Sequence, residues 1–91
     1  MEHLFRATIE RSGDMDAAFV VVPIDIRKEY GKGRLKVDAT FDGVPYSGSV
    51  VNMGVKDADG NICYIIGITK AIRMQIGKSF GDIVDVTLRT T

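Results

Sequence analysis

Shifted by 46 residues, the sequence overlays itself. Phe19-Val20-Val21-Val22-Pro23 falls on Ile65-Ile66-Gly67-Ile68-Thr69, Ile26-Arg27 on Ile72-Arg73, Tyr30 on Ile76, and Gly31-Lys32 on Gly77-Lys78. After a one-residue insertion, Val37-Asp38-Ala39-Thr40-Phe41 falls on Val84-Asp85-Val86-Thr87-Leu88. Seven positions are identical, against about one or two for unrelated segments of this length at ordinary residue frequencies. The matches keep the same role in each half: strand, short helix, strand. Such a unit cannot bury its apolar face alone. Two of them, related by an approximate two-fold axis, can close one barrel and remove exposed strand edges.

The patterning supplies the remaining elements. Leu4 to Arg11 alternates, with Phe5, Ala7 and Ile9 on one face and Arg6, Thr8 and Glu10 on the other, which predicts a half-buried strand. Ser12-Gly13-Asp14 breaks it. Ala17 to Val22 is a continuous apolar run, expected to be buried on both faces or to cross a closed barrel. Pro23 ends it, and Ile24 to Tyr30 then reads as a helix of under two turns, with Asp25 at its positive end and Gly31 as its stop. Leu35 to Phe41 alternates again, and Asp42-Gly43 marks a tight hairpin. The return strand, Val44 to about Val55, carries Pro45 and Gly48, which predict an edge position or a bulge. Asp57-Ala58-Asp59-Gly60 turns the chain into a buried strand from Asn61 to Ile68. Lys70 to Ile76 is a second short helix, closed by Gly77. Ile83 to Thr91 is the last strand, with Val84, Val86 and Leu88 inward.

The expected fold is therefore all-β with two short helices: a closed six-stranded barrel from two pseudo-symmetric strand–helix–strand halves, forming a single domain over residues 1–91. With both halves in one chain, a monomer can complete its own barrel. Hydrophobic residues make up 45% of the sequence, enough for a chain of 91 residues to form a core. Val, Ile, Phe and Tyr dominate that set and favour strands.

Charge narrows the function classes. Twelve basic and twelve acidic residues cancel, which counts against a partner chosen by bulk charge, nucleic acid included. No apolar run reaches the roughly 18–20 residues of a membrane helix, and the N-terminus lacks the apolar stretch of a signal peptide, so the cytoplasm is the expected location. Cys63 is expected to be a small buried hydrophobe.

Certain segments carry resemblances. Ile68 to Gly77 followed by Gly81-Asp82 is similar to the signature of swapped-hairpin transcription factors and antitoxins: a strand, an Ile-Arg pair, a helix end at Gly, then Gly-Asp before a strand. Those proteins build the barrel from two chains. From Phe5 to Leu88 the chain resembles a family of small prokaryotic β-barrel proteins known as domain of unknown function nineteen-oh-five. The landmarks are the Phe5 strand, Val22-Pro23, Asp42-Gly43-Val44-Pro45-Tyr46, the Ile72-Arg73 helix and Gly81-Asp82; Asp42-Gly43 stands where many members have Asn-Gly. This resemblance implies a closed barrel, cytoplasmic residence and no established activity.

Candidate chemistry is sparse. Asp57, Asp59 and Asn61 have the first spacings of a calcium loop, but Ile62 and Ile68 stand where Gly and Glu are needed, so a polar hairpin turn is expected. Gly31-Lys32-Gly33-Arg34 lacks the full phosphate-loop spacing. His3 is expected in a frayed terminus with no nucleophile to serve. Asp38 and Asp85 alternate with inward valines and are expected to face solvent. No catalytic, metal or cofactor site is predicted, and a non-enzymatic binding domain is the favoured reading.

The repeated arginines are the one functional lead. Arg27 and Arg73 are expected to bind helix-end carbonyls or a nearby carboxylate. Alternatively, Arg27, Lys28, Lys32 and Arg34 of one half and Lys70, Arg73 and Lys78 of the other form a basic face for nucleic-acid phosphates.

Overall fold

The computed structural model describes residues 2–13 and 16–90. Seven strands and two short helices follow one another as β1 (Glu2–Thr8), β2 (Glu10–Arg11), β3 (Ala18–Val22), α1 (Ile26–Tyr30), β4 (Arg34–Phe41), β5 (Val44–Lys56), β6 (Ile62–Ile68), α2 (Lys70–Ile76) and β7 (Ile83–Thr90). Asp14 of the expected first turn and Thr91 of the expected last strand lie outside the described residues.

All strands belong to one antiparallel sheet in the order β1-β7-β4-β5-β6-β3-β2. It curls into a half-barrel, and the expected closed six-stranded barrel does not form. The expected N-terminal strand is interrupted at Ile9, whose side chain is completely buried. Its N–H donates to Asp82 O at 2.8 Å, and its carbonyl accepts from Gly81 N at 2.8 Å. The expected Leu4–Arg11 strand is thereby split: β1 pairs with β7 and β2 with β3. The two end strands of the sheet are thus consecutive pieces of chain.

Alternation fixes what is inside. Phe5 and Ala7 pack against the core, while Val37, Ala39 and Phe41 of β4 and Val84, Val86 and Leu88 of β7 are buried within it. The Asp42-Gly43 hairpin has φ of 50° and 86°, the twin positive angles of a type I′ turn, and Phe41 pairs with Val44 across it. Pro45 lies where β5 has only β4 beside it, since the β6 ladder is confined to Val51, Asn52 and Lys56. β5 is thus an interior strand rather than the expected edge, and Pro45 is accommodated because it falls outside the β6 ladder. The bulge, expected near Gly48, falls instead between Asn52 and Lys56, where Gly54 takes φ 80° and donates to Asn52 Oδ1.

The ladders centre on like positions. β3 and β6 pair Ala18 with Ile68, Val20 with Ile66, and Val22 with Tyr64. β4 and β7 pair Ala39 with Leu88, Thr40 with Thr87, and Phe41 with Val86. The two threonine hydroxyls lie 2.5 Å apart.

The helices follow their capping residues. α1 starts at Ile26, two residues later than the sequence suggests, because the Asp25 carboxylate accepts from Lys28 N and fixes the N-cap there. Thr69 caps α2 through Ile72 N. Gly31 and Gly77 end the helices in the left-handed conformation, and each donates to the carbonyl of the repeated arginine, Arg27 or Arg73. Ile26 and Ile72 face the core. Among the described residues no helix is long and apolar enough to cross a membrane.

Candidate functional site

The seven predicted basic residues divide sharply. Arg27 and Lys28 in α1, Lys32 after it and Arg34 opening β4 are exposed, and none forms an ion pair among the described residues. Lys70, Arg73 and Lys78 are all held by internal carboxylates.

Lys78 closes a strand staple. Its Nζ lies 2.6 Å from Asp42 Oδ2 and donates to Ile83 O at 2.6 Å. Asp42 Oδ1 accepts from Asp85 N, and Asp42 N donates to Asp85 O. The Lys78 ammonium, followed by the Asp85 amide, holds the Asp42 carboxyl below the usual carboxylate range. Asp85 itself faces solvent and pairs with Arg6 at 2.8 Å; Asp38 is exposed too, accepting from Ser47 Oγ.

Arg73 is different. Its side chain is 7% exposed, whereas that of its partner Asp16 is 56% exposed. Nη1 lies 3.3 Å from Asp16 Oδ1, and Nη2 donates to Asp16 O at 3.2 Å. The guanidinium lies 5.1 Å from the Phe80 ring centroid, and Arg11 lies 5.4 Å from the same ring. Nε is buried and has no hydrogen-bond partner among the described residues. Lys70 Nζ reaches Asp16 Oδ2 at 3.3 Å. The hydrogen bond from Lys70, then that from Arg73, lowers the Asp16 pKa, so Asp16 is ionised at neutral pH. Of the two expectations for the repeated arginines, Arg73 takes the carboxylate. Arg27 remains at the surface.

Two clefts flank this cluster. One, of about 290 Å³, lies against Ala17, Ala18, Tyr46, Gly67, Ile68 and Thr69. The other, of about 470 Å³, runs along α2 to Phe80 and Asp82. Asp16, Lys70 and Arg73 line both. A third cleft, of about 220 Å³, is lined by residues 21–25 and 62–64. Adding 46 to residues 16–18 and subtracting 46 from residues 67–70 of the first cleft gives residues 62–64 and 21–24 of the third.

Other candidates resolve into local structure. The Asp57 carboxylate accepts from Asp59 N and Asn61 N, and Asp57 N bonds Asn61 O, which makes the segment a hairpin turn. His3 is not frayed: it lies in β1, with Nε2 2.7 Å from the Tyr30 hydroxyl. Cys63 is half-buried rather than buried, with Sγ directed to Asn61 O. Sequence reasoning missed Asp16, Phe80 and Tyr46 as parts of a site. A partner for Arg73 that lies 57 positions away leaves no periodic trace.

The class these features define is a small all-β domain with two short helices set on a curled antiparallel sheet. A family model described as Domain of unknown function (DUF1905) matches residues 5–88, and the chain belongs to that family. No curated protein matches the chain.

Proposed function

We propose that this chain is a non-enzymatic binding domain, acting as a monomer, with its ligand site in the paired clefts beside α2. The observation that carries the reading is Arg73: a charged side chain withdrawn from water, walling two clefts, with one N–H that has no partner among the described residues. Burying a charge costs free energy unless it is fully paired, so such a group calls for a reason beyond packing.

The duplication supports that reading by providing an internal control. Under the 46-residue offset, the Ala18–Ile68 pairing becomes Tyr64–Val22, and both are present. Under the 47-residue offset that follows the insertion, Ala39–Leu88 becomes Val86–Phe41, again both present. The correspondence extends to the preceding strands: Arg11–Ala18 matches Asn52–Tyr64, and Ala7–Val84 matches Gly48–Val37. The repeated unit is then strand, strand, helix, strand, larger than the sequence match alone suggests. One copy places Ile62 and Ile24 where the other has Asp16 and Lys70, so the fold does not demand the polar cluster.

The test is a fragment screen followed by amide chemical shifts of the labelled protein. A binder that moves the amides of residues 16–18 and 67–73 agrees with the proposal. Binding confined to other surfaces, or none from a broad library, contradicts it.

A second reading, nucleic-acid binding, draws on the exposed cations Arg27, Lys28, Lys32 and Arg34. Salt-dependent binding to mixed-sequence DNA or RNA, weakened when these four are replaced together, would support it; no binding at low salt would exclude it.

A further inference from the structure

Resting on the binding-domain reading, the geometry points to an anion site in which Asp16 is a displaceable internal occupant. A carboxylate or phosphate group on a small organic molecule takes its place on Lys70 and Arg73. The body of that molecule lies against Ala17, Ala18, Tyr46 and Ile68.

Four observations carry this. First, the cation is fixed and the anion is not. Arg73 is buried against Phe80, while the Asp16 side chain is more than half exposed, so its carboxylate can turn into water as a ligand anion takes over its partners. Second, the pairing is poor. Asp16 lies 3.3 Å from both Lys70 and Arg73, the longest ion pairs among the described residues, whereas Asp42 reaches Lys78 at 2.6 Å and Asp85 reaches Arg6 at 2.8 Å. Well-formed charge-assisted bonds of this kind run about 2.7–2.9 Å. Third, Arg73 Nε has no partner among the described residues, so there the guanidinium retains an unused donor in a fork that suits a two-oxygen acceptor. Fourth, the smaller cleft joins the charged group to an apolar wall, and its volume of about 290 Å³ lies at the lower limit for sites that hold small organic ligands.

Phosphate and carboxylate share the recognising chemistry, so the experiment carries an arm for each. Inorganic phosphate and benzoate are titrated into the labelled protein at constant ionic strength, with amide shifts read at Ala17, Thr69 and Lys70. Expected are saturable shifts there, about tenfold tighter binding in Asp16→Asn, where the competing charge is gone, and about fivefold weaker binding in Lys70→Ala. Tighter phosphate binding assigns a phosphate ester as the ligand class; tighter benzoate binding assigns a carboxylate. Lys70 is at the surface, so its variant remains informative should Asp16→Asn fold poorly. Anion binding indifferent to both substitutions overturns the inference. So do neutral fragments that bind the cleft while neither anion does, and this last outcome leaves the binding-domain reading standing.

Discussion

Asp16 and Arg73 meet at 3.3 Å across 57 positions of chain, one side chain at the surface and the other withdrawn from it. The contact ties the segment before β3 to α2 and sets the shape of both clefts. Because Arg73 is the buried member, the consequences of breaking the pair are unequal.

Removing the outer partner should be the costly change. Asp16→Ala leaves a buried guanidinium with Lys70 nearby and no counter-charge. It is expected to lower stability, read as a shift in the urea midpoint at unchanged slope. An unchanged midpoint would mean that water already satisfies Arg73.

The Asp42 staple predicts an acid response. Its carboxyl has a folded pKa below the unfolded value, so it contributes stability above the unfolded pKa of about 3.9, and that contribution is lost as pH falls through the folded pKa. Asp42→Asn keeps a residue that tolerates φ 50° in the turn but removes the charge facing Lys78. The variant should be about 1 kcal/mol less stable at pH 7, with a shallower decline in Tm between pH 5 and pH 2. An unchanged acid limb would assign that decline to other carboxylates.

Tyr46 rests directly over Gly48. A Cβ at position 48 would lie 2.5 Å from Tyr46 Cε2, so Gly48→Ala must push the ring, which also packs against Phe41 and lines the smaller cleft. The expected cost is about 1–2 kcal/mol, with displaced amide shifts at residues 67–69. Shifts limited to β4 and β5 would show that the ring moves away from the cleft.

The glycine of the hairpin is held by its backbone rather than by contacts. Gly43 has φ 86° and open space around it, so Gly43→Ala should cost about 1 kcal/mol through strain alone. Thermal unfolding of that variant beside Gly48→Ala separates strain from steric displacement, because only the latter should disturb the cleft.

Much of this architecture is legible where the interaction is local. The alternation of Val84, Val86 and Leu88, the Asp42-Gly43 turn, and Gly31 and Gly77 as helix stops are read from neighbouring residues, because the physics that fixes them acts within a few positions. The break at Ile9 is not: it depends on backbone bonds to Gly81 and Asp82, which only the assembled sheet supplies. The candidate site follows the same rule. Arg73 stood out through its repetition with Arg27, but nothing in the sequence separates the buried arginine from the exposed one, and nothing links it to Asp16.

The central claim is that the Asp16–Arg73 cluster serves binding and that the fold can do without it. Urea unfolding of the double variant Asp16→Ala with Arg73→Met tests this most directly, since it removes both charges and retains apolar volume at position 73. The prediction is a stability within about 1 kcal/mol of the unaltered protein, recovering most of the loss seen in Asp16→Ala alone. A double variant less stable than either single change, or one that no longer unfolds cooperatively, would contradict the claim and make the cluster a structural necessity.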